Sequence, residues 1–139
     1  MASIRRGYIM AEHIVWETSF RKALDLAKKT NRLVLASFFD SCCEACMRMK
    51  GSTLVTECVQ EYIRKYFISI KYESGEDSDQ FMRFEVTAKP ATIIFDAEGN
   101  EIFRKIGYFE PEVFIHKLEL AIKKAAHKAD RMRPHLCQQ

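Results

Sequence analysis

Three of the chain's five cysteines, Cys42, Cys43 and Cys46, fall within residues 39–47, FDSCCEACM. A thiolate is a nucleophile and a soft-metal ligand, whereas a buried neutral thiol behaves as a small hydrophobe. Three readings are therefore open. Cys43 and Cys46 have the C-x-x-C spacing of a redox pair. Cys42, Cys43 and Cys46 could instead clamp a soft metal, with His135-Leu-Cys137 in the tail completing a set of S and N ligands. Or the three simply pack. A structural zinc site normally carries two paired ligand motifs, and here one knuckle stands alone, so no metal is expected.

The elements that must position these thiols follow from apolar patterning. LVLASFFD, residues 33–40, is a continuous apolar run of strand length, the pattern of a strand covered on both faces. CEACMRMKG follows it with helix formers and Gly51 as a stop or kink, and TECVQEYIRKYF resumes a helix with Cys58, Val59, Tyr62 and Ile63 on one side. Before the strand, residues 16–32 place Phe20, Ala23, Leu24 and Ala27 on one helical face, with Thr18 or Ser19 as N-cap. After it come a strand in FISIKYE and a short helix in DSDQFMRFEV capped by Ser78 or Asp77. Lys89-Pro90 then leads into a hairpin with strands 91–95 and 101–106 around DAEGN. Pro111 opens a last helix whose core stripe is Phe114, Leu118, Ala121, Ile122 and Ala125.

Composition narrows the class. A chain of 139 residues holds one core, and 47% hydrophobic with 29% charged residues is an ordinary globular balance. Ten Phe, five Tyr and one Trp supply enough core material that closure needs no disulfide or metal staple. The net charge of +3 comes from interspersed charges, which argues against a nucleic-acid partner. Only residues 123–133, KKAAHKADRMR, are locally basic, the pattern of a solvated helix end. No apolar run approaches the roughly 18 residues of a membrane span. An odd cysteine count without framework spacing favours a reducing compartment: the cytoplasm as the sequence stands, the periplasm should an export leader precede it.

A βαβ unit with Cys43-Glu-Ala-Cys46 at the strand-to-helix junction, a hairpin entered through Lys89-Pro90, Gly107 after its second strand and a closing helix together resemble the thioredoxin fold over about residues 16–125. LASFFDSCCEACMRMK and AKPATIIFDAEGNEIFRKIGYFEPEVF most resemble thioredoxin-like proteins typified by the C-terminal domain of bacterial transmembrane thiol:disulfide interchange reductases. The resemblance implies an α/β domain with a central mixed β-sheet flanked by helices on both faces. It implies disulfide exchange, with a protein disulfide as substrate, an upstream dithiol as donor and no organic cofactor. In that setting Cys43, at a helix N-terminus, is the nucleophile, and Cys46, one turn on, resolves the mixed disulfide. Pro90 would be cis beside the pair, with the backbone of Lys89 pairing an extended substrate. A redox-inactive adaptor, binding a partner in the groove beside Pro90, is the rival within the same fold.

The chain departs from that family in three places. Cys42 stands where Trp usually precedes the nucleophile, removing an aromatic from the rim and adding a thiol. Ser37 stands where thioredoxins usually keep a buried carboxylate, leaving Asp40 and Glu44 as the nearest replacements in the proton route. Glu44 sets negative charge beside the nascent thiolate, while Lys89 would oppose it. The net expectation is a reducing pair.

The other singled-out residues are expected to be bland. Cys58 reads as a small buried hydrophobe, Cys137 as an exposed spare thiol, and His13, His116 and His127 as solvated or packing residues. Trp16 reads as a staple at the entry to the first helix. The expected organisation is an extension over 1–15, a thioredoxin-like domain over 16–126 and a tail over 127–139, in a monomer.

Overall fold

A computed structural model describes residues 13–131. The elements run β1 (Trp16–Glu17), α1 (Phe20–Thr30), β2 (Leu33–Phe39), α2 (Glu44–Gly51), a 3-10 turn (Thr53–Val55), α3 (Glu57–Tyr66), β3 (Phe67–Glu73), α4 (Ser78–Arg83), β4 (Ala91–Phe95), β5 (Glu101–Ile106) and α5 (Pro111–Arg131). They form a five-stranded sheet in the order β1-β3-β2-β4-β5. β1 and β2 run parallel to β3, while β4 runs antiparallel to both β2 and β5, so the sheet is mixed.

Alternation along β2 divides the core into two layers. Val34, Ala36 and Phe38 face α1 and α4, where they pack with Phe20, Ala23, Ala27 and Phe81. Leu35 and Phe39 face the other way, toward Cys46 and Met49 of α2, Val59 and Ile63 of α3, and Phe114 and Leu118 of α5. A strand buried on both faces must be continuously apolar, which is why residues 33–39 show no polar alternation. Phe38 anchors the first layer: its ring centroid lies 5.1 Å from those of Tyr72 and Phe81 and 6.0 Å from that of Phe84. The pairs with Phe81 and Phe84 are edge-on, and each such pair contributes on the order of 1 kcal/mol beyond area burial.

Several local expectations are corrected. Trp16 does not enter a helix; it lies in the edge strand β1, half-buried, opposite Ser69 with the Lys71 ammonium 5.5 Å from its ring. The first helix begins only at Phe20, capped by Ser19, whose hydroxyl accepts the Lys22 N–H. Cys58 is exposed rather than buried, because α3 turns Val59, Gln60 and Ile63 inward. The buried Gln60 amide is satisfied by donating to the Leu54 carbonyl at 3.1 Å, which makes a polar residue tolerable in that phase. Asp77 occupies the N-cap position of α4, but its carboxylate accepts the Glu73 N–H instead of a helix amide. α5 runs unbroken from Pro111 to Arg131.

Candidate active site

Cys43 lies where β2 hands the chain to α2. The Asp40–Cys43 turn, closed by the Cys43 N–H donating to the Asp40 carbonyl at 3.1 Å, makes Cys43 the N-cap of α2. Its sulfur does what a capping oxygen does elsewhere: Cys43 Sγ accepts the Cys46 N–H at 3.1 Å. Unpaired amides and the positive end of the helix dipole therefore meet at this sulfur. The Cys43 thiol also donates to the Lys89 carbonyl at 3.7 Å, bringing together two segments 46 residues apart. The Lys89-Pro90 peptide is cis, and Pro90 is buried.

Cys46 is the concealed member of the pair. It has 0% exposure, packs in the second core layer and accepts the Asp40 backbone N–H on Sγ at 3.4 Å. Burial above all, then the hydrogen bond with Cys43, pushes its thiol up to about 11. Cys43 is half-exposed and Cys42 exposed, so the three clustered cysteines form a gradient from solvent to core. All four described cysteines are free thiols.

Asp40 joins the parts. One carboxylate oxygen accepts the Cys42 N–H at 3.0 Å and the other lies 3.6 Å from the Lys89 ammonium. The Cys42 N–H holds the Asp40 carboxyl below its ordinary range, and the Lys89 charge adds to this. Glu44 is exposed in the first turn of α2, where the helix dipole favours a carboxylate. Ser37 is buried in β2, in register with Lys71 and Thr92, so no carboxylate occupies the strand beneath Cys46. Cys42, Asp40, Cys43, Cys46, Lys89 and Pro90 thus converge on one end of the sheet.

Among the described residues no group of three or more His, Cys, Asp or Glu side chains is placed to hold a metal. The tail ligands His135 and Cys137 lie outside the described residues, as does most of the N-terminal extension. His13 and His127 are exposed, and His116, also exposed, has its Nδ1 3.7 Å from Glu119; none of the three is near the cysteines in the bonded network. No described helix is long and apolar enough to cross a membrane.

Residues 20–122, spanning both the cysteine junction and the hairpin, match the family model of the thioredoxin-like domain. The chain belongs to that family. Within this thioredoxin-like group it is 28% identical over 111 residues to the thiol:disulfide interchange protein DsbD of Ralstonia nicotianae, covering 77% of this chain and 18% of that protein. The chain therefore spans less than a fifth of that relative's length. A thioredoxin from Thermus thermophilus superposes with a TM-score of 0.71 at 20% identity, covering 88% of this chain and 98% of the other. The DsbD C-terminal domain of Neisseria meningitidis, in the oxidised form, gives 0.61 at 17% identity, covering 77% and 99%. These two likenesses establish the thioredoxin fold: a mixed sheet with helices on both faces.

Arg104 was not singled out in the sequence. It sits in an alternating edge strand, where a charged residue reads as solvated, and only its bonds to a distant loop distinguish it.

Proposed function

We propose that this chain is a thiol:disulfide oxidoreductase acting as a reductase of protein disulfides, with Cys43 as nucleophile and Cys46 as resolving thiol. The observation that carries this reading is the half-exposed Cys43 sulfur capping α2 directly above a fully buried Cys46. The Cys43 thiolate attacks one sulfur of the substrate disulfide, forming a mixed disulfide and expelling a substrate thiolate, which takes up the proton of Cys46. Cys46, now a thiolate, attacks Cys43 Sγ. A Cys43–Cys46 disulfide forms, the second substrate thiolate leaves, and two electrons have passed to the substrate. An upstream dithiol donor reverses the process on the enzyme.

Two of the influences that raise Cys46 come from Cys43 itself. Once Cys43 is in a mixed disulfide its charge is gone, and Cys46 becomes easier to deprotonate when it is needed. Asp40 is a poor proton acceptor here, since its carboxylate is engaged by Cys42 and Lys89 and held as a weak base. The departing substrate thiolate is the better one.

Two features support a reducing direction. Glu44 adds negative charge beside the reactive sulfur, and the Lys89 ammonium is drawn onto Asp40 at 3.6 Å. Both limit stabilisation of the reduced form, the property that makes strong oxidases oxidising. Lys89, whose carbonyl already meets Cys43, offers its backbone to an extended substrate chain. The odd cysteine count supports a reducing compartment, the cytoplasm, or the periplasm should an export leader precede the chain, and the domain is proposed to act as a monomer without an organic cofactor. Equilibration with glutathione buffers tests the direction. The expected midpoint is nearer roughly −270 mV than −120 mV, and a value at the oxidising end overturns the reductase reading.

A further inference from the structure

The loop that carries Lys89 begins at the C-terminal end of α4, and that end is built in an unusual way. The Val86 N–H donates to the Phe81 carbonyl at 2.8 Å and the Glu85 N–H to the Met82 carbonyl at 3.1 Å, the paired bonds of a Schellman motif. Val86 and Phe81 are both buried in the same core layer, supplying the apolar contact that accompanies this motif. The residue after the cap must then be left-handed, a conformation that favours glycine. Here it is Glu85, with φ of 55°.

Arg104 of β5 stabilises this end from across the loop. Its Nη2 donates to the Phe84 carbonyl at 2.7 Å and its Nη1 to the Glu85 carbonyl at 3.1 Å. The same guanidinium is fixed on its other side by Glu101, with Nε–Oε2 at 2.7 Å and Nη2–Oε1 at 2.8 Å. The planar fork thus makes four hydrogen bonds at once, two to the loop carbonyls and a bidentate pair to the carboxylate, one more than the three donors of an ammonium allow. Directly after the end of the same strand, Gly107 donates its N–H to the Pro90 carbonyl at 2.7 Å. Gly107 has φ of 113°, a backbone conformation that L side chains rarely adopt. β5 therefore grips the α4-to-β4 connection at both ends, and Lys89 lies between the grips.

We infer that Arg104 is a positioning residue for disulfide exchange: it holds the Phe84–Glu85 end of the loop so that the Lys89 backbone is presented beside Cys43 for pairing with an extended peptide. This rests on the proposed substrate role of Lys89. It adds that the edge strand, through one guanidinium with no contact to either cysteine in the bonded network, sets recognition of chain-like substrates. A small aromatic disulfide such as 5,5′-dithiobis(2-nitrobenzoate) has no backbone to pair and requires only the thiols.

The test compares kcat/KM for a disulfide-linked peptide with that for the small aromatic disulfide, in the wild type and in Arg104→Met. Removing the fork is expected to lower the peptide-to-small-disulfide ratio about fivefold or more, with the loss appearing in KM for the peptide, since each displaced hydrogen bond is worth about a factor of five. Arg104→Lys, which keeps the charge near Glu101 but not the fork, is expected to lower the ratio as well and serves if the Met variant does not fold. A purely structural role would depress both substrates together, and an unchanged ratio in both variants overturns the inference. If instead a peptide with N-methylated backbone amides flanking its disulfide reacts as well as the unmodified one with the wild type, the pairing role of the Lys89 backbone itself fails.

Discussion

Asp40 meets Cys46 through its backbone and not its carboxylate: the Asp40 N–H points at Cys46 Sγ at 3.4 Å, while the carboxylate turns away to the Cys42 amide and the Lys89 ammonium. Cys46 is thereby left buried and neutral, without an adjacent side-chain base in the bonded network. Its titration becomes a property of the fold.

The stability of the protein should register this in alkali. The Cys46 thiol rises from 9.0 to about 11 on folding, so its contribution is complete below pH 9 and is lost as the pH climbs toward 11. The unfolded chain releases that proton first, and unfolding is favoured over this window. Urea midpoints measured at about pH 8 and about pH 10.5 should fall more steeply for the wild type than for Cys46→Ala. Parallel declines would mean that Cys46 is not held protonated by burial.

Asp40 should behave in the opposite sense. Its carboxyl lies below the ordinary 3.8, first because of the Cys42 N–H and then because of Lys89. Its stabilising contribution is present above that value and lost as the pH falls through the folded value. Following the Asp40 carboxyl carbon by NMR, Lys89→Met should move the titration upward but only part of the way, since the Cys42 amide remains. A return to the full ordinary value would show that the Lys89 charge, and not the turn, holds the carboxylate.

Thiol reactivity offers a direct map of the exposure gradient. Brief alkylation of the native, reduced protein followed by peptide mass mapping should label Cys42 and Cys58, spare Cys46, and reach Cys46 only after unfolding. Labelling of Cys46 at the rate of Cys58 would contradict its burial on the inner face of α2.

Much of this architecture was legible because its signals are local. The apolar run at residues 33–39 has the pattern of a doubly covered strand, and DAEGN between two apolar stretches located the 91–95 and 101–106 strands as they are found. Cys43 at a helix start followed from the same reasoning. What escaped depends on contacts distant in sequence. A two-residue edge strand has no periodicity, so Trp16 read as helix entry until its pairing with Ser69 showed otherwise. In α3 the apolar face read through Cys58, Val59, Tyr62 and Ile63 misses the phase that buries Gln60, because the Leu54 carbonyl that accepts from Gln60 is invisible without the 3-10 turn. The Asp40–Lys89 pair and the grip of Arg104 on Phe84 and Glu85 join segments that only the folded sheet brings together.

The central claim, that Cys43 and Cys46 pass two electrons to a disulfide, is tested most directly by a single turnover without any external thiol. Fully reduced protein, freed of reductant, is mixed with excess disulfide-linked peptide, and free peptide thiols and the Cys43–Cys46 linkage are both quantified by mass spectrometry. The expected result is one peptide disulfide reduced per chain with a Cys43–Cys46 disulfide formed in equal amount, and none in Cys43→Ala. Wild-type protein that reduces nothing, or a Cys43→Ala variant that reduces as much as the wild type, would contradict it.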